Sequence, residues 1–459
     1  MTAARPTRIA GALLLVLALP VLAACLRTGG PRPRAEEKRM RRVVPGISTT
    51  AEVRAALGPP NVKAGGDTWI YEWQTTEPAL ILGTGSFGGP EIPVGPVHSF
   101  TALVSFDAAG RVARYEVQSD PPALAARLGA ASPVPYTYLR PTQSLERAGC
   151  GERRCRPTRL AADGQWAVSP QAGALRLWRV GSEALPRELG RFHGEDGHVA
   201  LSADGALAVW ALPGGQVTVV ATDAAAELAR IDSGTVTALA LNAAGNRLAL
   251  ATAHGELLLH AVDRGRLVAR ATLPGPDVHA LAYSPTDPLV AAVDDDDSLL
   301  LMTEDGASVR RVVPGRRGRY APRRVGFSPD GRHLAVTGEI HVEIHAVESL
   351  AAGGSTPVQV LLLPVGGASG GVAPRAVFDR NGRLLAVVSA GDASVWEWPR
   401  ANLLAILESP GASGPLRPAV ALSDLAFRAD GLLLTAGAGP IHEWDPAAAD
   451  PRTLDLQRN

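Results

Sequence analysis

The chain has 459 residues, with Lys+Arg 45 balanced by Asp+Glu 45, 46% hydrophobic residues, 5% aromatics, 49 Gly and 37 Pro. That length exceeds one packing unit, and the hydrophobic content excludes a disordered chain. Gly and Pro are spread along the sequence, which points to many tight turns rather than long helical bundles, and the balanced charge leaves no broad basic surface for nucleic acid.

Arg5 and Arg8 form a short basic region at the N-terminus. The apolar run over 9–24 is interrupted by Pro20, is too short for a comfortable membrane span, and ends in Leu22-Ala23-Ala24-Cys25. These residues resemble a bacterial lipoprotein signal with its lipobox; the alternative is an ordinary secretory signal with an incidental cysteine. The resemblance implies removal of residues 1–24 as a signal peptide and acylation of Cys25. Several acyl chains hold a membrane where a single one would exchange. Leu26 stands where an Asp would be the usual inner-membrane retention mark of that class, so the anchor is expected on the periplasmic face of the outer membrane. Residues 25–35 are rich in Arg, Gly and Pro and read as a flexible tether.

The region 36–118 reads as a small α+β domain. A helix is predicted over 36–43. A second starts after Thr49, whose hydroxyl caps it while Glu52 reaches back, and Gly58-Pro59-Pro60 ends it. Three strands follow at 68–74, 100–106 and 112–117, the last two joined by a turn from Asp107 to Gly110, giving an αα-βββ order. The stretches P-G-I-S-T-T-A-E-V-R-A-A-L-G-P-P, W-I-Y-E-W and A-L-V-S-F-D-A-A-G-R-V carry a resemblance to the BamE/SmpA-type small outer-membrane lipoproteins of the β-barrel assembly machinery. Gly46, Val53, Leu57-Gly58, Pro60, Trp69, Tyr71, Phe106-Asp107 and Gly110 occupy the family's positions. The resemblance implies that fold and, as partners, barrel-assembly subunits. The sequence departs from it by one extra residue between Gly46 and Val53 and by a Gly/Pro-rich excursion over 78–97. Within that excursion Ala79-Leu80-Ile81-Leu82 would dock on a partner or pack on its own sheet. Trp69, Tyr71 and Phe106 are read as core and turn positions.

Residues 119–157 form a Pro/Ala-rich connector containing C-G-E-R-R-C. Cys150 and Cys155 are expected to form a disulfide in an oxidising compartment, since a zinc site would need two more ligands. So short a loop would gain only about 2 kcal/mol from it.

Beyond the connector an apolar strand, a D/N-G turn and a second apolar strand recur seven times. The turns fall at Gly164, Gly205, Gly245, Asp287, Gly331, Gly382 and Gly431. That spacing is the length of a four-stranded propeller blade. The repeat resembles the WD-repeat family, with Trp444-Asp445 matching its dipeptide and S-P-D-G at 328–331 its turn; other third strands end in Trp178-Arg179, Trp210-Ala211, His260-Ala261 and Trp398-Pro399. The fold class expected is therefore mainly β: a seven-bladed WD-repeat-like β-propeller over 158–456, preceded by the small α+β domain. Either 452–456 or a strand near 136–139 would complete the last blade.

No catalytic motif stands out: the sequence has no G-x-S-x-G, H-E-x-x-H, phosphate-loop or dinucleotide fingerprint. The acidic run 294–297 lacks the interleaved ligands of a calcium loop and reads as a solvated turn. His260 and His345 fall where other repeats place Trp and read as packing residues. No catalytic residue, cofactor or metal ligand is expected. Arg310, Arg311, Arg316, Arg317, Arg319, Arg323 and Arg324 crowd one segment. They form either a solvated loop or a patch for phospholipid head groups, lipopolysaccharide phosphates or an acidic protein face. The function expected is that of a non-enzymatic, lipid-anchored periplasmic scaffold for protein–protein interaction, in outer-membrane protein assembly or envelope maintenance. The competing expectation is a propeller enzyme or small-ligand binder acting at the central channel, which requires polar or charged side chains from at least three blades to converge in one pocket.

Overall fold

The computed structural model describes residues 26–27, 39, 42–64, 67–76, 80–82, 92–94, 97–120 and 137–145, and 159–449 apart from breaks of which 314–322, 364–373 and 408–421 are the longest. Cys25, Cys150 and Cys155 lie outside the described residues, as does most of the helix expected at 36–43. The chain divides into two compact units, one within residues 1–132 and the other taking in 133–459.

In the first unit the anticipated cap forms. Glu52 N donates to Thr49 Oγ1 at 3.3 Å and Thr49 N donates to Glu52 Oε2 at 2.8 Å, starting helix α1 (Thr50–Leu57). Val53 and Leu57, one turn apart, bury one stripe of this short helix. The sheet has four strands rather than three, in the order Val62–Ala64, Thr68–Thr76, Val97–Phe106, Val112–Asp120, and the last three run antiparallel. Alternate residues of these strands close over α1: Trp69, Tyr71, Val104 and Phe106 share a core with Val53 and Leu57, and the Trp69 and Phe106 rings meet edge-on at 4.7 Å. Asp107 Oδ1 accepts from both Ala109 N and Arg111 N at 2.9 Å, which fixes the predicted hairpin turn. The excursion contains a short hairpin, Leu80–Leu82 with Ile92–Val94, and Leu26–Arg27, expected within a flexible tether, pairs with its first strand.

Among the described residues the second unit holds seven sheets, antiparallel apart from one added strand, whose first strands are Arg159–Leu160, His198–Leu201, Val236–Leu241, Val278–Tyr283, Arg324–Phe327, Arg375–Phe378 and Leu422–Phe427. Each sheet adds its next strands in chain order. The first strand of each packs on the first strand of the following sheet, and that of the seventh on that of the first. The order is therefore cyclic and propeller-like. Middle strands such as Arg247–Thr252 are buried over nearly their whole length, whereas fourth strands such as Arg266–Thr272 are mostly exposed. This explains the near-continuous apolar runs in the repeat: a strand covered on both faces by neighbouring sheets needs no polar alternation.

The repeat turns are where sheets meet. Gly205 has φ +71°, and a Cβ there would come within 2.3 Å of the Trp166 ring of the preceding sheet. Ser328 Oγ donates to Asp330 Oδ1 at 2.6 Å and accepts from His333 N at 2.9 Å, so the S-P-D-G sequence closes its own turn. Trp444 is fully buried and its Nε1 donates to Thr435 Oγ1 at 3.0 Å. His260 is buried with Nδ1 2.8 Å from the Gly265 carbonyl, and His345 is buried with Nε2 3.2 Å from Glu343 Oε2.

The segment expected to be a connector supplies two strands to this unit. Gln143–Leu145 pairs antiparallel with Ile441–Trp444 as the fourth strand of the seventh sheet, while Thr137–Leu139 pairs parallel with Asn402–Leu407 as a fifth strand of the sixth. The strand anticipated near 136–139 therefore exists but extends the sixth sheet, and its neighbour completes the last one. Residues 452–456 lie outside the described residues. Pairing covers edges that would otherwise present unsatisfied N–H and C=O groups.

Candidate functional site

Because every sheet has the same strand order, the leading residues of the first strands come to one end of the ring. Arg159, Arg324 and Arg375 each open such a strand, in the first, fifth and sixth sheets. Asp424 lies near the start of the corresponding strand of the seventh, where the register shifts between Leu422 and Asp424. Thr337 Oγ1, 3.4 Å from the Arg324 carbonyl, donates to the Pro374 carbonyl at 2.9 Å, which ties the fifth sheet to the start of the sixth.

The Asp424 carboxylate is completely buried, and both of its oxygens are engaged. Oδ1 accepts from Leu425 N at 2.9 Å and pairs with Arg375 Nη1, and Oδ2 accepts from Leu160 N at 2.8 Å. Arg159 Nη1 donates to the Ser423 carbonyl at 3.3 Å. Arg324 is different. Its Nε is buried without an acceptor, and it forms no ion pair among the described residues. Burial pushes the Arg324 guanidinium down to about 9, with repulsion from Arg159 and Arg375 adding to the shift and Asp424 opposing it. Burial likewise lowers Arg159, Asp424 opposing and Arg375 assisting. Three guanidinium groups thus share one carboxylate in an enclosed place. The Arg375 side chain keeps 34% exposure, so solvent reaches the cluster.

Such an arrangement is short of negative charge and has donors to spare, which suits it to holding an anion. Among the described residues no group of three or more His, Cys, Asp or Glu is placed to hold a metal ion. A cavity of about 510 Å³ opens elsewhere, between the first and seventh sheets, but its charged lining is three acids, Asp163, Asp430 and Glu443, against Arg179 and Arg428, and Arg428 already pairs with Asp430 and Glu443, both at 2.6 Å.

The arginine-rich segment does not act as one patch in its described part. Arg310 is exposed and donates to the Ala351 carbonyl at 2.6 Å. Arg311 pairs with Asp294 at 3.3 Å and Asp296 at 3.7 Å, and Arg323 with Asp297 at 3.8 Å. The acidic run expected to be a solvated turn is thus partly internal, with Asp294 fully buried, and it answers the arginines. Arg324 alone turns to the charged cluster, and Arg316, Arg317 and Arg319 lie outside the described residues.

Arg159, Arg375 and Asp424 are not apparent from any motif. A signal for two of them exists once the repeats are aligned on their turns. Seven residues before the turn, the second, third, fourth, fifth, sixth and seventh repeats carry His198, Ala238, Ala280, Arg324, Arg375 and Asp424. The last three repeats thus carry charged residues where the third and fourth carry Ala. No protein-family model matches the chain, and no curated protein matches it.

Proposed function

We propose that this is a lipid-anchored periplasmic protein of the outer membrane that works by binding rather than catalysis, with a seven-bladed propeller whose central channel holds an anionic small ligand. The cyclic contact of the seven first strands supports the ring. The observation that carries the ligand site is the convergence of Arg159, Arg324, Arg375 and Asp424 from four sheets, with the buried Nε of Arg324 left without an acceptor among the described residues. Acylated Cys25 would hold the ring at the membrane, and the 36–118 unit, with its BamE/SmpA-like motifs, would supply a face for other envelope proteins, barrel-assembly subunits among them.

Native mass spectrometry of the full chain purified from membranes tests this. One small anionic adduct per chain, lost in Arg375→Gln, is the expected result. An adduct-free chain that cross-links stoichiometrically to barrel-assembly subunits would overturn the channel assignment and leave a scaffold only.

A further inference from the structure

Resting on the channel assignment, we infer that the ligand group is a tetrahedral dianion of the phosphate class, held by Arg324 and Arg375 with Arg159 behind them. Arg159, Arg324 and Arg375 bring three positive charges, and Asp424 returns one negative charge, so the cluster carries an excess of two. Asp424 cannot neutralise more, because it carries a single negative charge, and its carboxylate already pairs with Arg375. Enclosed like charges repel strongly when no counter-charge lies among them. A monoanion would leave the excess half cancelled, whereas a dianion cancels it. A guanidinium offers a rigid fork of donors that matches phosphate oxygens, and three forks approaching from three different strands suit a tetrahedral group better than a planar carboxylate. Arg324 has the open donor, and the partly exposed Arg375 marks the side of entry.

The shared chemistry covers free phosphate and a phosphomonoester, and the test separates them. Isothermal titration of the purified full chain, in detergent at low salt, uses inorganic phosphate, glycerol phosphate and acetate as probes. One phosphate-class ion per chain is expected, bound in preference to acetate and weakened at least about tenfold by Arg324→Gln, since a charge-assisted hydrogen bond carries at least that factor. Tighter binding of glycerol phosphate than of inorganic phosphate would assign a phosphomonoester, and the reverse order the free ion. Arg324→Gln breaks no ion pair among the described residues, so the fold should survive, and an unchanged thermal midpoint without ligand verifies this. Arg230→Gln, which removes an exposed pair with Glu227 on a fourth strand, should leave affinity unchanged. Acetate bound as tightly as phosphate in an Arg324-dependent way would overturn the dianion assignment while sparing the channel site. Affinities indifferent to Arg324→Gln for every probe would overturn both.

Discussion

At the scale of single residues, conformation and titration decide most of what can be tested. Gly205 and Gly382 both sit at repeat turns in the left-handed region, at φ +71° and +60°, but a Cβ at Gly205 strikes the Trp166 ring whereas one at Gly382 meets nothing within 4 Å. An alanine at either position suffers the left-handed penalty of about 1–2 kcal/mol. Gly205→Ala adds a steric clash between sheets and should therefore lower the urea midpoint clearly more than Gly382→Ala; equal losses would show that the turn does not pack as described. Protonation gives a second expectation. Burial holds the His260 and His442 imidazoles below 6.5, so the unfolded chain binds protons that the folded chain refuses. Stability should be level above about pH 7 and fall as pH drops through about 6.5. Asp204 and Asp330, held below 3.8 first by the hydroxyls of Ser202 and Ser328, contribute stability above that value and lose it only in stronger acid. Urea midpoints measured across pH 5.5 to 8 would contradict this if they rose on acidification.

At the scale of elements, the informative piece is the pair of strands contributed by 137–145. Gln143–Leu145 is held to the seventh sheet by backbone pairing, by Thr142 N on the Glu443 carbonyl at 2.8 Å, and by Ser144 Oγ 2.9 Å from His442 Nδ1. Its partner lies about three hundred residues away, so it ties the start of the unit to its end at a large loop-closure entropy that its neighbours must offset. Deleting 137–145 should uncover the edges of the sixth and seventh sheets, lower the thermal midpoint and promote association, read by scanning calorimetry and size-exclusion chromatography. A monomeric chain with an unchanged midpoint would contradict the pairing. The sequence shows the repeat strands plainly because most of them set a short apolar run beside a turn, as in the four consecutive apolar residues of R-L-A-L-A-T. Q-S-L has no such pattern, and nothing local distinguishes a closing strand from a connector. The same holds for Val62–Ala64, three residues whose sheet membership depends entirely on Thr68–Thr76 beside them.

At the scale of the whole molecule, the anchor and the charged cluster define what the protein would do. The proposed lipid on Cys25 predicts that Cys25→Ser moves the chain from the membrane pellet to the soluble fraction on fractionation; retention in the pellet would contradict the anchor. The cluster was half legible. Arg324 stands out in a run of arginines, but its separation from Arg310, Arg311 and Arg323 shows only in the fold, which sets it near Arg159 and Arg375 while Arg311 and Arg323 pair with the acids at 294–297 and Arg310 with the Ala351 carbonyl. Arg159 opens a two-residue strand, and only the cyclic order that sets the first sheet beside the seventh brings it to Ser423. Sequence distance hides such a site, since its parts are spread over four repeats. The most direct measurement is a crystal structure of the full chain soaked in molybdate, a tetrahedral dianion located by its anomalous scattering. One molybdate is expected, in contact with the guanidinium groups of Arg324 and Arg375. Anomalous density absent from that cluster, with Arg324 turned onto a protein carboxylate instead, would contradict it.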